Sequence, residues 1–250
     1  MSGHSKWSQI KRQKGVNDVK RGAAFTKVAR EIMIAARQGG GDPDGNYRLR
    51  LAIEKARSVN MPMDNIKRAI ERATGAGEGV QFEEIVYEGY GPAGVAILVE
   101  TQTDNRNRTA AEVRSVFSKA GGQLAGAGAV AWQFEPRGLI AVTPNGHDAD
   151  EVALTAIDAG AEDVDTDDPD RIEIYTTPGN LERVRQALEQ AGLGVESAEN
   201  TMVAKNTVEL ESSKARQALH LVEQLEDLDD VQRVSANFEI PDDVLAEVAG

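Results

Sequence analysis

The sequence predicts an α+β multidomain protein, with an N-terminal helical domain followed by two α/β (ferredoxin-like) domains, one inserted in the other. Three observations predict it. Up to residue 75 the apolar residues recur at the helical period. Beyond Gly75-Ala76-Gly77-Glu78-Gly79, strand-like runs interleave with helical ones. Residues 136–204 alone carry a complete βαββαβ order, the split βαβ arrangement. The pieces on either side of that order, 80–135 and 205–246, then complete each other as one discontinuous domain, with 1–76 as the basic arm and three-helix domain.

Residues 1–17 carry Lys6, Lys11, Arg12 and Lys14, no acidic residue and few apolar ones, Trp7, Ile10 and Val16 among them. They read as a mobile arm that orders on its partner. Residues 18–38 read as an amphipathic helix with Phe25, Val28, Ala29, Ile32 and Ala36 on one face and Lys20, Lys27, Arg30 and Arg37 on the other. Arg21 extends that basic set. Gly39-Gly40-Gly41 ends the helix, and Asp42-Pro43-Asp44-Gly45 makes a turn. A second helix follows over roughly 46–59, burying Leu49, Ile53 and Ala56. Pro62 suits the first position of a third helix, where its missing N–H costs nothing, and Ile66, Ala69, Ile70 and Ala73 form the inner stripe.

After the glycine-rich linker, 82–90 and 95–103 read as strands joined at Gly91-Pro92-Ala93-Gly94. A helix at about 106–120 and a strand at 129–135 follow. The inserted order places strands at 138–143, 162–166, 171–176 and 195–204, with helices at 147–159 and 179–191. Then 205–210 is strand-like, 213–227 helical and 231–239 strand-like.

Composition narrows the function classes. There are no cysteines, which excludes disulfides, thiolate metal sites and cysteine nucleophiles. The basic N-terminal segment has no apolar stretch behind it, and no run approaches the roughly 18–20 apolar residues that cross a bilayer. A cytoplasmic protein with no membrane association is therefore expected. The formal charge of −13 conceals a division. Residues 1–75 hold 16 Lys+Arg against 7 Asp+Glu, a net of +9, and the remainder holds 12 against 34, a net of −22. A basic head on an acidic body suggests that one end meets a polyanion; it also suits adhesion between the protein's own domains.

Several motifs fail as chemistry. Gly89-Tyr90-Gly91-Pro92-Ala93-Gly94 matches a dinucleotide fingerprint in letters, but a strand rather than a helix follows it, so it reads as a hairpin turn. Asp163-Val164-Asp165-Thr166-Asp167 resembles a calcium loop, yet its sixth position is Asp168 and its twelfth Ile174. His4, His147 and His220 lie in three separate segments, with no metal-ligand spacing. No nucleophile elbow or triad stands out. No enzyme activity, cofactor, metal or small-molecule substrate is expected.

Two segments remain. In the arm, Lys6, Lys11, Arg12 and Lys14 suit phosphates, and Trp7 either stacks on an unpaired base or docks the arm on the helical domain. In Thr103-Asp104-Asn105-Arg106-Asn107-Arg108-Thr109, a strand meets a helix N-terminus, where exposed N–H groups favour anions and Arg106 and Arg108 add forked donors. Capping by Asp104 or Asn105, with salt bridges between domains, fits the same residues.

These motifs follow one another in a specific order. Gly3-His4-Ser5-Lys6-Trp7 opens it, then Ala36-Arg37-Gln38-Gly39-Gly40-Gly41-Asp42-Pro43 and Asn46-Tyr47-Arg48-Leu49-Arg50. Asn60-Met61-Pro62, Tyr87-Glu88-Gly89-Tyr90-Gly91-Pro92 and the Thr103–Thr109 run complete it. Over nearly its whole length the chain resembles the YebC/PmpR family of bacterial regulators, whose mitochondrial relatives are translational activators of a cytochrome oxidase subunit. The resemblance implies a helical domain and two α/β domains, one inserted in the other, and no enzymatic activity or cofactor. It implies a DNA-binding transcriptional regulator by the family's usual description, and a ribosome-linked role by its mitochondrial members. Gln123-Leu124-Ala125-Gly126-Ala127-Gly128-Ala129 departs from the family pattern, with more alanine and fewer serines.

The expectation is a non-enzymatic nucleic-acid-binding regulator of gene expression, acting as a translation factor on ribosomal or transfer RNA or on the ribosome. The alternatives are a transcriptional regulator on duplex DNA and a protein-interaction module. The expected nucleic-acid-binding residues are Lys6, Trp7, Lys11, Arg12, Lys14, Lys20, Arg21, Lys27, Arg30, Arg37, Arg106 and Arg108.

Overall fold

The structure, a computed structural model, describes residues 18–75, 81–168, 170–241 and 243–244, with side chains from 22 onward. Helix α1 (Asp18–Gly39) buries Val28, Ile32, Ala35 and Ala36 along one stripe. Helices α2 (Tyr47–Ser58) and α3 (Met63–Thr74) both pack on it, closing a core with Leu49, Ala52, Ile53, Ala56, Met61, Ile66 and Ala69. Asn46 staples the first junction: its Oδ1 accepts the Leu49 N–H (3.1 Å) that caps α2, and its Nδ2 donates to the carbonyls of Ala35 and Gly40 (both 2.8 Å). A Cβ on Gly39 would lie 2.6 Å from that Nδ2, so the chain needs glycine there. Pro62 stands one position before α3, with extended backbone, instead of in its first turn.

The next sheet is built from both sides of the insertion. Strands β1 (Glu83–Tyr90) and β2 (Ala96–Thr103) form an antiparallel hairpin. After helix α4 (Arg106–Lys119), short strand β3 (Gln123–Leu124) pairs with β1. Much later in the chain, helix α7 (Ser212–Glu226) leads to β9 (Val231–Ala236), which pairs antiparallel with β2 and gives the order β3-β1-β2-β9. Val95, Ile97 and Val99 meet Val113 and Phe117 of α4 and Ala218, Leu221, Val222 and Leu225 of α7 in one core. Strand β8 (Val208–Glu209) pairs parallel with β10 (Phe238–Glu239) in a separate two-stranded sheet.

Residues Phe134–Val203 form a compact unit of their own, and the chain on either side of them forms the other. Within the inserted unit the order is β4 (Phe134–Thr143), α5 (Ala149–Asp158), β5 (Asp163–Asp168), β6 (Arg171–Thr176), α6 (Leu181–Gln190) and β7 (Gly194–Ala204). Its sheet order, β5-β6-β4-β7, is that of a split βαβ fold. Ile140 faces Ile174 and Val142 faces Ile172 across β4 and β6, and these residues are buried with Val152 and Ala156 of α5 and Leu181, Val184 and Leu188 of α6. The fold is therefore α+β, helical first, with one α/β unit inside another. Asp163–Asp168 is a strand and not a cation-binding loop.

One local expectation differs. The strand expected at 129–135 is a loop ending in a 3-10 turn at Ala131–Gln133, and β4 runs unbroken from Phe134 through the expected break at Pro136. The Glu88 carboxylate takes the N–H groups of Gly128 (2.6 Å), Val130 (2.7 Å) and Ala131 (2.8 Å), so these amides are not available to a strand ladder.

The β1–α4 contact leaves no room at Gly89. A Cβ there would sit 2.6 Å from the Phe117 ring and 2.8 Å from the Gln123 carbonyl, while Phe117 is fully buried. Gly89→Ala should lower stability by about 1–3 kcal/mol, as over-packing does, and is checked by the urea midpoint of the variant.

Candidate nucleic-acid interface

The cations proposed from sequence separate into three groups. Lys6, Trp7, Lys11, Arg12 and Lys14 lie outside the described residues. Lys20 and Arg21 fall in the first turn of α1, and Arg37 is exposed in its last. Lys27 and Arg30 turn inward. Lys27 is half-buried, and its Nζ donates to the carbonyl of Glu226 (2.5 Å) at the C-terminal end of α7, where a helix favours a cation.

Arg30 is the clearest correction. It is 8% exposed. Its Nη1 donates to the carbonyls of Gln102 (2.7 Å) and Asp229 (2.9 Å) and lies 3.0 Å from Asp230 Oδ1. Its guanidinium also sits 5.0 Å from the centre of the Phe82 ring. Such a side chain serves the core, and Arg30 leaves the open basic face.

The Thr103–Thr109 segment does gather donors around an anion, and that anion is the protein's own Asp230. This carboxylate, 2% exposed, accepts from Thr109 Oγ1 (2.6 Å), Arg108 Nη2 (2.7 Å) and Thr103 Oγ1 (3.0 Å), beside the Arg30 charge. Asn105 caps α4 by accepting the Arg108 N–H (3.1 Å), and Arg108 also bonds Asp104 (2.8 Å). Arg108 is thus held between two carboxylates. Arg106 is exposed at the helix start, and its guanidinium makes no hydrogen bond or ion pair among the described residues. Burial alone raises the Asp230 carboxyl, but the bonds from Thr109, Arg108 and Thr103 and the charge of Arg30 outweigh it and hold the group below the ordinary carboxylate range.

A second buried carboxylate organises the loop after β3. Glu88, 7% exposed, holds the three amides of Gly128, Val130 and Ala131. Burial raises its carboxyl and the three backbone bonds more than reverse the shift. Between two of those amides, the Ala129 carbonyl accepts from both Tyr90 Oη (3.0 Å) and Trp132 Nε1 (3.1 Å).

Sequence reasoning missed three cations. Arg57, Lys67 and Arg72 are exposed, and among the described residues they have no hydrogen-bond or ion-pair partner. The signal was present: burial of Ile66 and Ala69 turns Lys67 and Arg72 outward at the helical period. Other cations nearby are engaged. Arg48 pairs with Glu84, Lys55 with Glu31, and Arg68 bonds back to Asp64 and Asn65. Among the described residues no group of three or more His, Asp or Glu side chains is placed to hold a metal ion, and no helix is long and apolar enough to cross a membrane.

The Asp230 cluster has a pH signature. Its native carboxyl titrates below the unfolded one, so its contribution is complete above the ordinary carboxylate range and is lost as pH falls through the depressed native value. Asp230→Asn leaves Arg30 buried without its counter-charge and should cost about 3–5 kcal/mol near neutrality, with a shallower acid limb. Urea unfolding of both proteins across the acid range measures both effects.

Relatives share this whole architecture. The family model for the TACO1/YebC protein N-terminal domain matches residues 5–76, and that for the TACO1/YebC second and third domain matches residues 82–238. A probable transcriptional regulatory protein of Moorella thermoacetica is 55% identical over 96% of each chain. One from Rubrobacter xylanophilus is 53% identical over the full length of both. The crystal structure of a conserved hypothetical protein from Aquifex aeolicus superposes with a TM-score of 0.83 at 47% identity, covering 90% of this chain and 92% of that one. With family models matched on both sides of the glycine-rich linker and identity above one half across full-length relatives, the chain belongs to the TACO1/YebC family.

Proposed function

We propose that this protein is a non-enzymatic, nucleic-acid-binding regulator of gene expression that works as a ribosome- or RNA-associated translation factor. The observation that supports this reading is the segregation of charge, +9 in residues 1–75 against −22 in the rest. Arg30 and Arg108 are bound to carboxylates, while Arg37, Arg57, Lys67, Arg72 and Arg106 are exposed. The sequence adds Lys6, Lys11, Arg12, Lys14, Lys20 and Arg21 to the formal positive charge of this end, which suits phosphates. An acidic body attached to it is repelled by the same polyanion, so contact favours the basic end and, beyond it, the stretches that carry no carboxylate. That geometry suits a folded RNA recognised by shape and backbone.

Duplex DNA is the second reading. The relatives are named probable transcriptional regulatory proteins. Moreover, α2 and α3 are joined by only Val59–Pro62, with Asn60 in the left-handed region (φ 59°), and α3 presents Lys67 and Arg72 outward. Against it, Asp64 and Glu71 share the exposed side of α3 and oppose phosphate approach.

Sucrose-gradient sedimentation of cell lysate separates the readings. The protein should migrate with ribosomal particles and stop doing so when residues 1–17 are deleted. Retention of duplex DNA in a sequence-dependent way at physiological salt, without ribosomal co-migration, would establish the second reading instead. Reversing charge at Lys11, Arg12 and Lys14 should weaken binding and reduce the slope of log K against log salt by about 2–3, one phosphate contact per residue. An unchanged slope rules the arm out as a phosphate ligand.

A further inference from the structure

We infer that Tyr90 and Trp132 form a preorganised stacking platform for an unpaired nucleobase, with Lys205 placed to meet the adjoining phosphate. This inference rests on the nucleic-acid reading above and names a surface that lies outside the basic head.

Trp132 is 67% exposed and Tyr90 38% exposed, both among the more exposed large apolar side chains of the described residues. A single exposed indole is ordinary on a protein surface, and what marks this one is how it is held beside a second ring. Neither ring is free to turn away. Tyr90 Oη and Trp132 Nε1 donate to the same oxygen, the Ala129 carbonyl, at 3.0 and 3.1 Å. Sharing one acceptor places the two polar atoms within about 6 Å of each other, so the rings flank a common point. The carbonyl is itself fixed, because the Glu88 carboxylate holds the amides of Gly128, Val130 and Ala131 on either side of it. The hydrogen-bonding edges of both rings are spent internally, and a partner meets π surface with its entropy of ordering already removed.

The surroundings favour a base over an apolar protein side chain. From Ala120 to Phe134 the sequence contains no charged residue, fifteen neutral positions in a region whose net charge is −22. A phosphate chain passing here meets no carboxylate from this loop, and Glu88 on β1 is buried and bonded to three of its amides. The loop is rich in alanine and glycine, and a Cβ added at Gly126 or Gly128 would meet no atom within 4 Å. The nearest placed cation is Lys205, exposed, whose Nζ donates to the Trp132 carbonyl (2.9 Å). Flat aromatic faces beside one lysine are the elements of sequence-tolerant single-strand binding, where each stacked base contributes about 1–3 kcal/mol.

The test uses the full-length chain with Trp7→Phe, which leaves Trp132 as the sole tryptophan. Titration with a short single-stranded oligoadenylate should quench Trp132 fluorescence. Trp132→Ala, in the otherwise natural chain, should weaken binding of that oligonucleotide roughly 5- to 150-fold, the loss of one stacked base. Trp132→Phe keeps a ring and should retain most of the affinity, and a duplex of the same sequence should show no dependence on Trp132. A thermal melt of each variant identifies a loss caused by unfolding. If Trp132→Ala binds the single strand as tightly as the natural chain, while reversal of Lys11, Arg12 and Lys14 weakens it, the platform is wrong and the nucleic-acid reading survives. Should an apolar peptide quench Trp132 and oligoadenylate fail to, the platform serves a protein and the inference is overturned. If the chain binds no single strand or ribosomal particle at all, both readings fall together.

Discussion

One buried carboxylate carries much of this architecture. Asp230 stands just before β9, and it is reached by Arg30 from α1, Thr103 from the end of β2, and Arg108 and Thr109 from the first turn of α4. Two stretches far apart in sequence, around Arg30 and over Thr103–Thr109, therefore converge on the two oxygens of a third. Removing any one donor leaves charge buried in a place where water cannot replace it, which makes the arrangement cooperative rather than a sum of contacts. It also ties the helical region to the α/β sheet. Lys27 on Glu226, Arg30 on Asp230 and Arg48 on Glu84 all bridge the same two parts, and residues 18–75 belong to one compact unit with that sheet.

Glu88 repeats the device on a smaller scale. It lies in β1, and the amides of Gly128, Val130 and Ala131 fold over it, while the loop they belong to has few side chains with which to fix itself. A carboxylate therefore stands in for the packing that an alanine- and glycine-rich loop lacks. The loop's richness in alanine and glycine does not weaken its backbone bonds, because they are made to Glu88 and not by loop side chains.

What could be read from the sequence followed from local periodicity. The three helices, the hairpin at Gly91–Gly94 and the βαββαβ order all rest on spacing within a dozen residues, where 3.6- and 2-residue repeats are decisive. The segment 129–135 defeated that logic. Its alternation looks strand-like, but Glu88, some forty residues away, claims its amides. Arg30 misled for the same reason. It occupies the polar face of α1 by helical angle, and only the arrival of Asp229 and Asp230, two hundred residues later, turns that face into an interior. Thr103–Thr109 was legible as an anion-gathering motif, with a helix N-terminus, hydroxyls and a forked guanidinium. Nothing local could reveal that the anion is intramolecular.

That last point constrains how phosphate can be recognised. The place where hydroxyls and forked donors converge on a negative charge is already occupied by Asp230, and the place where backbone amides converge on one by Glu88. A phosphate entering either would have to displace a buried carboxylate with several bonds to its credit, so neither is a phosphate pocket. Among the described residues, Arg57, Lys67, Arg72 and Arg106 are separate exposed side chains on flexible stems. Point charges of this kind bind by counterion release, with little discrimination among sequences and a steep dependence on salt. On the nucleic-acid reading, selectivity then comes from shape: from where the acidic body disfavours contact, and from surfaces that meet unpaired bases through their faces. Separate point charges are poorly suited to reading base edges in a groove and better suited to following a folded backbone.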